Sequence, residues 1–380
     1  MEYPDKKWNI LAIDDSKLNR AIIKNTLLPL NMKVDEASDG AKGLKALDNN
    51  NYDLILVDII MPNLDGFEFL SRFKKNIGNR FIPTILMTGL DDLNSKIEGL
   101  QIGADDYLLK PLNEKELVAR VQSLLRLKTA HDELYEKNKN YRKELFAAKK
   151  IQEYIIPSDF SRIPYPRISG RYLPIEDIGG DFFDCYSLPD SRYGFIIADV
   201  TGHGIPAALV MTMSKLMFSE HSPYYSSTRE LLTLINSKIM PLLLDDQYIT
   251  AFYLIYDHSR KILTFTNAGH THALYYRASS SRVLALDTEG LFIGITDSPL
   301  YEEKSLRVET GDRLFLYTDG ISELKGTGDS EFGENRLAKF IMAHPDLHGE
   351  EFCARLIEET DSFSHAIDRN DDIAFLNIEF

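Results

Sequence analysis

Residues 53–68, DLILVDIIMPNLDGFE, decide the reading of the N-terminal third of the chain. Leu54, Ile55, Leu56 and Val57 run without polar interruption into Asp58. Such a run marks a strand covered on both faces, since a half-exposed strand would alternate. A helical pattern, LDGFEFLSRFKKN, follows at once. Working outward, WNILAID and IPTILMTG repeat the strand signature, and KVDEAS and DYLLK are shorter versions of it. The helical patterns between them are SKLNRAIIKNTLLPL, opened by Ser16 as a good N-cap, then GAKGLKALDNN, SKIEGLQIG and NEKELVARVQSLLRL. Five strands alternating with five helices predict an α/β doubly wound, five-stranded parallel sheet.

The carboxyl ends of these strands carry chemistry. Asp14 and Asp15 end the first strand, Asp58 the third, Thr88 the fourth, and Lys110 the fifth, before Pro111. In a doubly wound sheet such ends converge on one crevice. Three carboxylates there favour a hard cation such as Mg²⁺. An acyl phosphate on Asp58 would be neutralised by the cation and Lys110 and hydrogen-bonded by Thr88. Singly, each residue reads as a turn or helix cap. Together AIDDS, VDIIMPNLDGFE, MTG and KP resemble the response-regulator receiver family over roughly residues 8–126. The resemblance implies Asp58 as phosphoacceptor, phosphorylated by a sensor histidine kinase. It implies Asp14, Asp15 (the more direct), Asp58 and the carbonyl of Ile60 as Mg²⁺ ligands. Thr88 and Lys110 would sense the phosphoryl group, with Tyr107 as switch aromatic.

From residue 167 the pattern changes. RISGRYLPI, YGFIIADV, YITAFYLIYD, KILTFTNAG, ALYYR, RLFLYTD and DIAFLNIEF are β-type runs, with helices expected at about 204–220, 228–244, 334–343 and 349–361. Grouped hairpins and helices predict an α+β β-sandwich with flanking helices. TEGLFIGITDSPLYEEKS and KGTGDSEFGENR read as loops.

Four acidic motifs punctuate this half: IGGDFFD (Asp181, Asp184), ADVTGHG (Asp199), LYTDGISE (Asp319) and RNDDIAF (Asp371, Asp372). Carboxylates without a nearby thiol favour Mg²⁺ or Mn²⁺. Two such ions about 4 Å apart lower the pKa of a shared water and clamp a phosphoryl group for in-line attack. Glycines at 179, 180, 202 and 204 allow close backbone approach. Any one motif alone reads as a turn. The set resembles the PPM (type 2C-like) metal-dependent serine/threonine phosphatases, and closely the SpoIIE-like branch, over about residues 165–380. Ala268-Gly269-His270 and the approach segment AAKKIQEYIIP fit that branch as well.

The resemblance implies catalytic acids Asp181, Asp199, Asp319 and Asp371 holding two Mn²⁺ or Mg²⁺, with Asp199 bridging and the carbonyl of Val200 as a further ligand. Its substrate would be a phosphorylated protein, of the STAS-type anti-sigma-factor antagonist class in a partner-switching pathway. His203 offers a general acid or a structural turn residue, and Cys185 an apolar filler. The phosphate-binding arginine of the eukaryotic PPM enzymes has no clear counterpart. A rival reading is a non-catalytic adaptor on the same fold, which predicts missing acids; all four are present.

Between the halves, residues 113–156 lack Gly and Pro and read as one helix. Leu124, Leu127, His131, Leu134, Asn138, Tyr141, Leu145, Ala148, Gln152 and Ile155 form a heptad seam, which predicts a homodimeric coiled coil. The expected organisation is a receiver at 1–126, a helical linker at 127–160 and a phosphatase domain at 161–380. A net charge of −15 over 380 residues disfavours nucleic acid and anionic lipid as partners. No apolar run is long enough for a membrane span, two cysteines suggest no disulfide scaffold, and the cytoplasm is the expected location.

Overall fold

The first five strands are β1 (Trp8–Ile13), β2 (Met32–Ala37), β3 (Leu54–Asp58), β4 (Thr84–Thr88) and β5 (Asp106–Leu109). They form one parallel sheet in the order β2-β1-β3-β4-β5. The structure, a computed structural model, describes residues 7–78, 80–89, 93–327, 330–364 and 371–380. The chain divides into two units, one ending at Arg142 and one beginning at Lys143.

In the first unit α1 (Lys17–Leu27), α2 (Gly40–Asn49), α3 (Gly66–Asn76) and α4 (Leu93–Ile102) alternate with the strands, and α5 starts at Glu114. Ser16, Asp39 and Asp65 cap the first three helices, accepting from the N–H groups of Asn19, Lys42 and Glu68. The strand β3 is buried along its whole length, as its unbroken apolar run predicts. One sheet face packs Ile10, Leu54, Leu56 and Ile85 with Leu117, Val121 and Leu124 of α5; the other packs Leu11, Ile55, Val57 and Leu86 with Phe69, Leu70 and Phe73 of α3. Period-2 alternation of residues buried on both sides is the consequence of helices on both faces.

The helix α5 runs from Glu114 to Ile155, close to the span read from sequence. Three of the expected seam residues do other work. Leu124 lies in the core of the first unit, and His131 packs on Phe81 at 4.8 Å. Gln152 is buried inside the second unit. Leu127, Leu134 and Tyr141 remain 52%, 60% and 52% exposed.

The second unit contains two antiparallel sheets. One has β7 (Phe182–Leu188), β8 (Arg192–Val200), β9 (Ile249–Asp257), β10 (Ile262–Ala268) and β13 (Lys304–Arg307), in the order β13-β10-β9-β8-β7. The other has β6 (Arg167–Leu173), β11 (Ala273–Arg277), β12 (Arg282–Leu286), β14 (Arg313–Tyr317) and β15 (Ile373–Glu379), in the order β12-β11-β14-β15-β6. Helices α6 (Gly204–His221) and α7 (Thr228–Ile239) contact strands of the first sheet. Helices α9 (Gly333–Ala343) and α10 (Gly349–Ser364) contact those of the second, and the single turn α8 (Asp319–Ser322) follows β14. Along β14, Leu314 and Leu316 enter the main core with Phe195 and Leu254, while Phe315 and Tyr317 turn to the cluster containing Phe340 and Phe352. That alternation defines a sandwich with helices outside it.

Three strands fall outside the sequence expectation. β13 is largely exposed and carries little apolar signal, β12 is largely exposed although its sequence RVLAL is mostly apolar, and β7, which begins two residues after a Gly-Gly pair, is interrupted by Asp184. The helix expected at 228–244 stops at Ile239, where Pro241 turns the chain into a 3₁₀ turn. Residues 328 and 329 of the second expected loop lie outside the described residues. No described helix is long and apolar enough to cross a membrane.

Candidate functional site

The first unit gathers Asp14, Asp15 and Asp58 so that one oxygen from each lies within 4.8 Å of the others. Asp14 is fully buried, and its carboxylate accepts from the Ser16 N–H at 2.9 Å and from the Asn19 side chain at 3.1 and 3.2 Å. Lys110 reaches Asp14 at 2.8 Å and Asp58 at 2.7 Å. Burial pushes the Asp58 carboxyl up, Lys110 draws it down, Asp14 raises it again and the Ile60 N–H lowers it. Asp65 and Gly66 have separate reasons. Asp65 caps α3, and a Cβ on Gly66 would lie 2.2 Å from the Asp58 carbonyl oxygen. Thr88 ends the neighbouring strand and is buried. Tyr107 sits half-buried under the Arg120 guanidinium, 5.4 Å from its ring. Three hard oxygen donors in one cluster fit Mg²⁺.

In the second unit, strand register assembles the acids. The pair Phe182–Ala198 places Asp181, one residue before β7, opposite Asp199 near the end of β8. In the other sheet Tyr317 pairs with Phe375, so Asp319 follows β14 where Asp371 and Asp372 precede β15. Thr318 closes this end: its N–H donates to the Ala374 carbonyl at 2.9 Å and its hydroxyl accepts from the Ala374 N–H at 3.0 Å.

These acids act on one another. Burial raises the Asp181 carboxyl well above its ordinary range, and Asp199 adds to the effect. Burial lifts Asp199 to about 6, with Asp371, Asp372 and Glu323 contributing. Burial, Asp199, Asp371 and Glu323 lift Asp319 to about 7. Among the described residues, Oδ2 of Asp181 is buried without a hydrogen-bond partner. An orphaned buried carboxylate oxygen amid mutually repelling acids is a donor set that fits a divalent cation. Glycines make the approach possible. A Cβ on Gly180 would stand 2.8 Å from the Val200 carbonyl oxygen, and one on Gly320 would stand 1.9 Å from that of Asp372.

Four residues that sequence reasoning did not assign also act here. Asp372, not Asp371, is the buried member of its pair, and it accepts from the N–H groups of Ile175 and Gly180 at 2.8 and 2.9 Å. Glu323 closes the LYTDGISE motif and faces Asp199 and Asp319 electrostatically. His270 is buried and, lowered to about 4 by desolvation, stays neutral. Its ring nitrogens bridge Thr250 at 2.7 Å and the Tyr317 carbonyl at 3.1 Å, which steadies the strand that delivers Asp319. Gln152, the fourth, is buried and its amide bonds the backbone of Gly179, two residues before Asp181. His203 is exposed and pairs with Glu176 at 3.2 Å, and burial pushes the Cys185 thiol up to about 12, so it stays protonated.

A parallel sheet with an acid cluster at its strand ends and a double antiparallel sandwich with a second one define a receiver domain followed by a PP2C-like domain. Residues 189–380 match the family described as Stage II sporulation protein E (SpoIIE), half of the chain, and the chain belongs to that family. Residues 10–122 match the response regulator receiver domain. Similar curated proteins include the "Probable transcriptional regulator ycf27" of Cyanidium caldarium, 38% identical over 121 residues, 32% of this chain and 47% of that protein. Another is "Response regulator PleD" of Caulobacter vibrioides, 37% identical over 134 residues, 35% of this chain and 30% of that protein. The chain thus spans less than half the length of these relatives. Among solved structures, the SiaA-PP2C domain of Pseudomonas aeruginosa superposes with a TM-score of 0.57 at 21% identity, over 64% of this chain and 98% of that one, a likeness of fold.

Proposed function

We propose that the chain is a two-component response regulator whose output is metal-dependent dephosphorylation of phosphoserine or phosphothreonine on a protein, controlled by phosphorylation of Asp58. The observation that carries the reading is the burial and mutual electrostatic interaction of Asp181, Asp199 and Asp319, with Oδ2 of Asp181 buried without a hydrogen-bond partner among the described residues. When bound there, two Mn²⁺ or Mg²⁺ ions would supply an activated water and neutralise a phosphoryl group. Asp181, Asp199, Asp319, Asp371 and the Val200 carbonyl would hold them. In the receiver, Asp14, Asp15, Asp58 and the Ile60 carbonyl would hold Mg²⁺, Lys110 and Thr88 would grip the acyl phosphate, and Tyr107 would respond to it.

The resemblance to SpoIIE-like phosphatases supports a STAS-type substrate in partner switching, and the receiver supports a sensor histidine kinase as phosphodonor in the cytoplasm. Residues 1–126 would be the receiver, 127–160 the linker and 161–380 the output domain. The exposed, seven-spaced Leu127, Leu134 and Tyr141 would pair with a second copy. The test is hydrolysis of p-nitrophenyl phosphate and of a phosphorylated STAS protein, with and without Mn²⁺. Metal-dependent turnover in wild type, lost in Asp199→Asn, is expected; a wild type inert toward both substrates overturns the reading in favour of an adaptor.

A further inference from the structure

Gln152 lies in the last turn of α5, eleven residues after the last exposed seam position, and only 6% of it is accessible. Its amide makes two hydrogen bonds to the backbone of one residue. Nε2 donates to the Gly179 carbonyl at 2.7 Å, and Oε1 accepts from the Gly179 N–H at 3.2 Å. Bonds to both the N–H and the carbonyl of one residue fix that residue's position and orientation together, as a hydrogen-bonded ladder pair does between strands. Both partners are buried, so neither has water as an alternative.

The peptide it holds has almost no freedom of its own. A Cβ on Gly179 would stand 1.8 Å from Oδ2 of Asp372 and 2.4 Å from the Tyr172 hydroxyl. The next residue, Gly180, donates to the same Asp372 oxygen and lies against the Val200 carbonyl. The residue after that is Asp181. From the Gln152 amide to the Asp181 carboxylate the chain therefore passes through two glycines, each in van der Waals contact with a group assigned to the metal centre or bonded beside it.

We propose that Gln152 is a positioning residue for the phosphatase metal centre: its two-point bond to Gly179 sets where Asp181 and the Val200 carbonyl stand, and hence the affinity for the divalent cation. This rests on the reading of Asp181 and Val200 as ligands. It also explains why an amide occupies a position that heptad spacing alone would give to an apolar seam. No other side chain of this length supplies a donor and an acceptor side by side without charge.

The test uses the full chain as wild type, Gln152→Met and Gln152→Glu. Methionine keeps the volume and loses both bonds. Glutamate keeps the acceptor for the Gly179 N–H but opposes a second oxygen to the Gly179 carbonyl. Mn²⁺ binding is measured by calorimetry, beside metal-free melting and p-nitrophenyl phosphate turnover against Mn²⁺ concentration. The expected result is at least tenfold weaker Mn²⁺ binding in both variants, about 1.4 kcal/mol. Turnover should move mainly in the Mn²⁺ concentration it requires, with kcat largely recovered at saturation. A folded variant that binds Mn²⁺ within threefold of wild type overturns the proposal, whatever its melting temperature. Hydrogen exchange on wild type needs no variant. Mn²⁺ must slow exchange both at 179–181 and in the last turn of α5, and slowing at 179–181 alone overturns the proposal. A wild type that binds no Mn²⁺ at this centre fails the phosphatase reading itself, whereas binding by wild type and variants alike fails only the role of Gln152.

Discussion

Both units collect carboxylates at strand ends, but they handle the charge in opposite ways. The receiver cluster contains its own cation: Lys110 stands within 2.8 Å of Asp14 and of Asp58, and Asn19 and the Ser16 N–H serve Asp14 further. Among the described residues, no cation is among the groups acting most strongly on the second cluster. The groups acting most strongly on Asp181, Asp199 and Asp319 are other acids, the Thr318 hydroxyl and a backbone N–H. A cluster with a built-in counter-charge is stabilised from within, as the proposed phosphoacceptor site would need between phosphorylations. One without it holds repulsion that a bound cation would relieve.

The sharpest way to break that contrast is to neutralise one acid on each side. Asp199→Asn is expected to lower metal-dependent turnover of p-nitrophenyl phosphate about 10³-fold, roughly 4 kcal/mol in the barrier. Asp58→Asn should change it only a few-fold, and equal losses would mean that the two centres are not separate. Next in size is Gly320→Ala, whose Cβ would stand 1.9 Å from a backbone oxygen that cannot step aside. It should reduce turnover about 10²-fold and stability by about 1–3 kcal/mol.

Lys110→Ala would make the receiver resemble the other centre. Unfolding in urea, followed by fluorescence of the single tryptophan, Trp8 in β1, should show a loss of about 1–3 kcal/mol without Mg²⁺ and partial recovery with it. The smallest effect is on pH. In metal-free protein Asp319 at about 7 and Asp199 at about 6 lie above their ordinary value of 3.8, so between about pH 4 and 7 the folded state binds more protons than the unfolded. Their contribution is present in acid and lost as pH rises through 6 to 7. The metal-free melting temperature should fall by several degrees from pH 5 to pH 8, at about 2–4 °C per kcal/mol, and Asp319→Asn should flatten the slope.

The receiver fold was legible because its three central strands are built on apolar runs, and Asp14, Asp58, Thr88 and Lys110 stand at or just past strand ends. In the sandwich the acids were visible, but their order in space was not, because register between distant strands such as β14 and β15 leaves no local trace. Asp372 and Glu323 were hidden by adjacency: each stands in a quoted motif beside a more conspicuous acid. Gln152 was misplaced for a different reason. Its seven-residue spacing from Leu145 satisfies a seam, and only the tertiary fold shows that the position is filled from within. The edge strand β13 escaped because an exposed edge needs little apolar content, whereas β12 was missed despite the apolar run Val283–Leu286.

The crowding around Gly179, Gly180 and Gly320 has an evolutionary side. Backbone positions that cannot accept even a methyl group are closed to drift. The acids beside them are more open to it, since a neutral replacement that keeps the hydrogen bonds would remove repulsion from the apo fold. A lineage freed from selection for hydrolysis would therefore shed its aspartates before its glycines. What would survive is the same sandwich, catalytically silent and thermodynamically improved, available for recruitment as a binding domain.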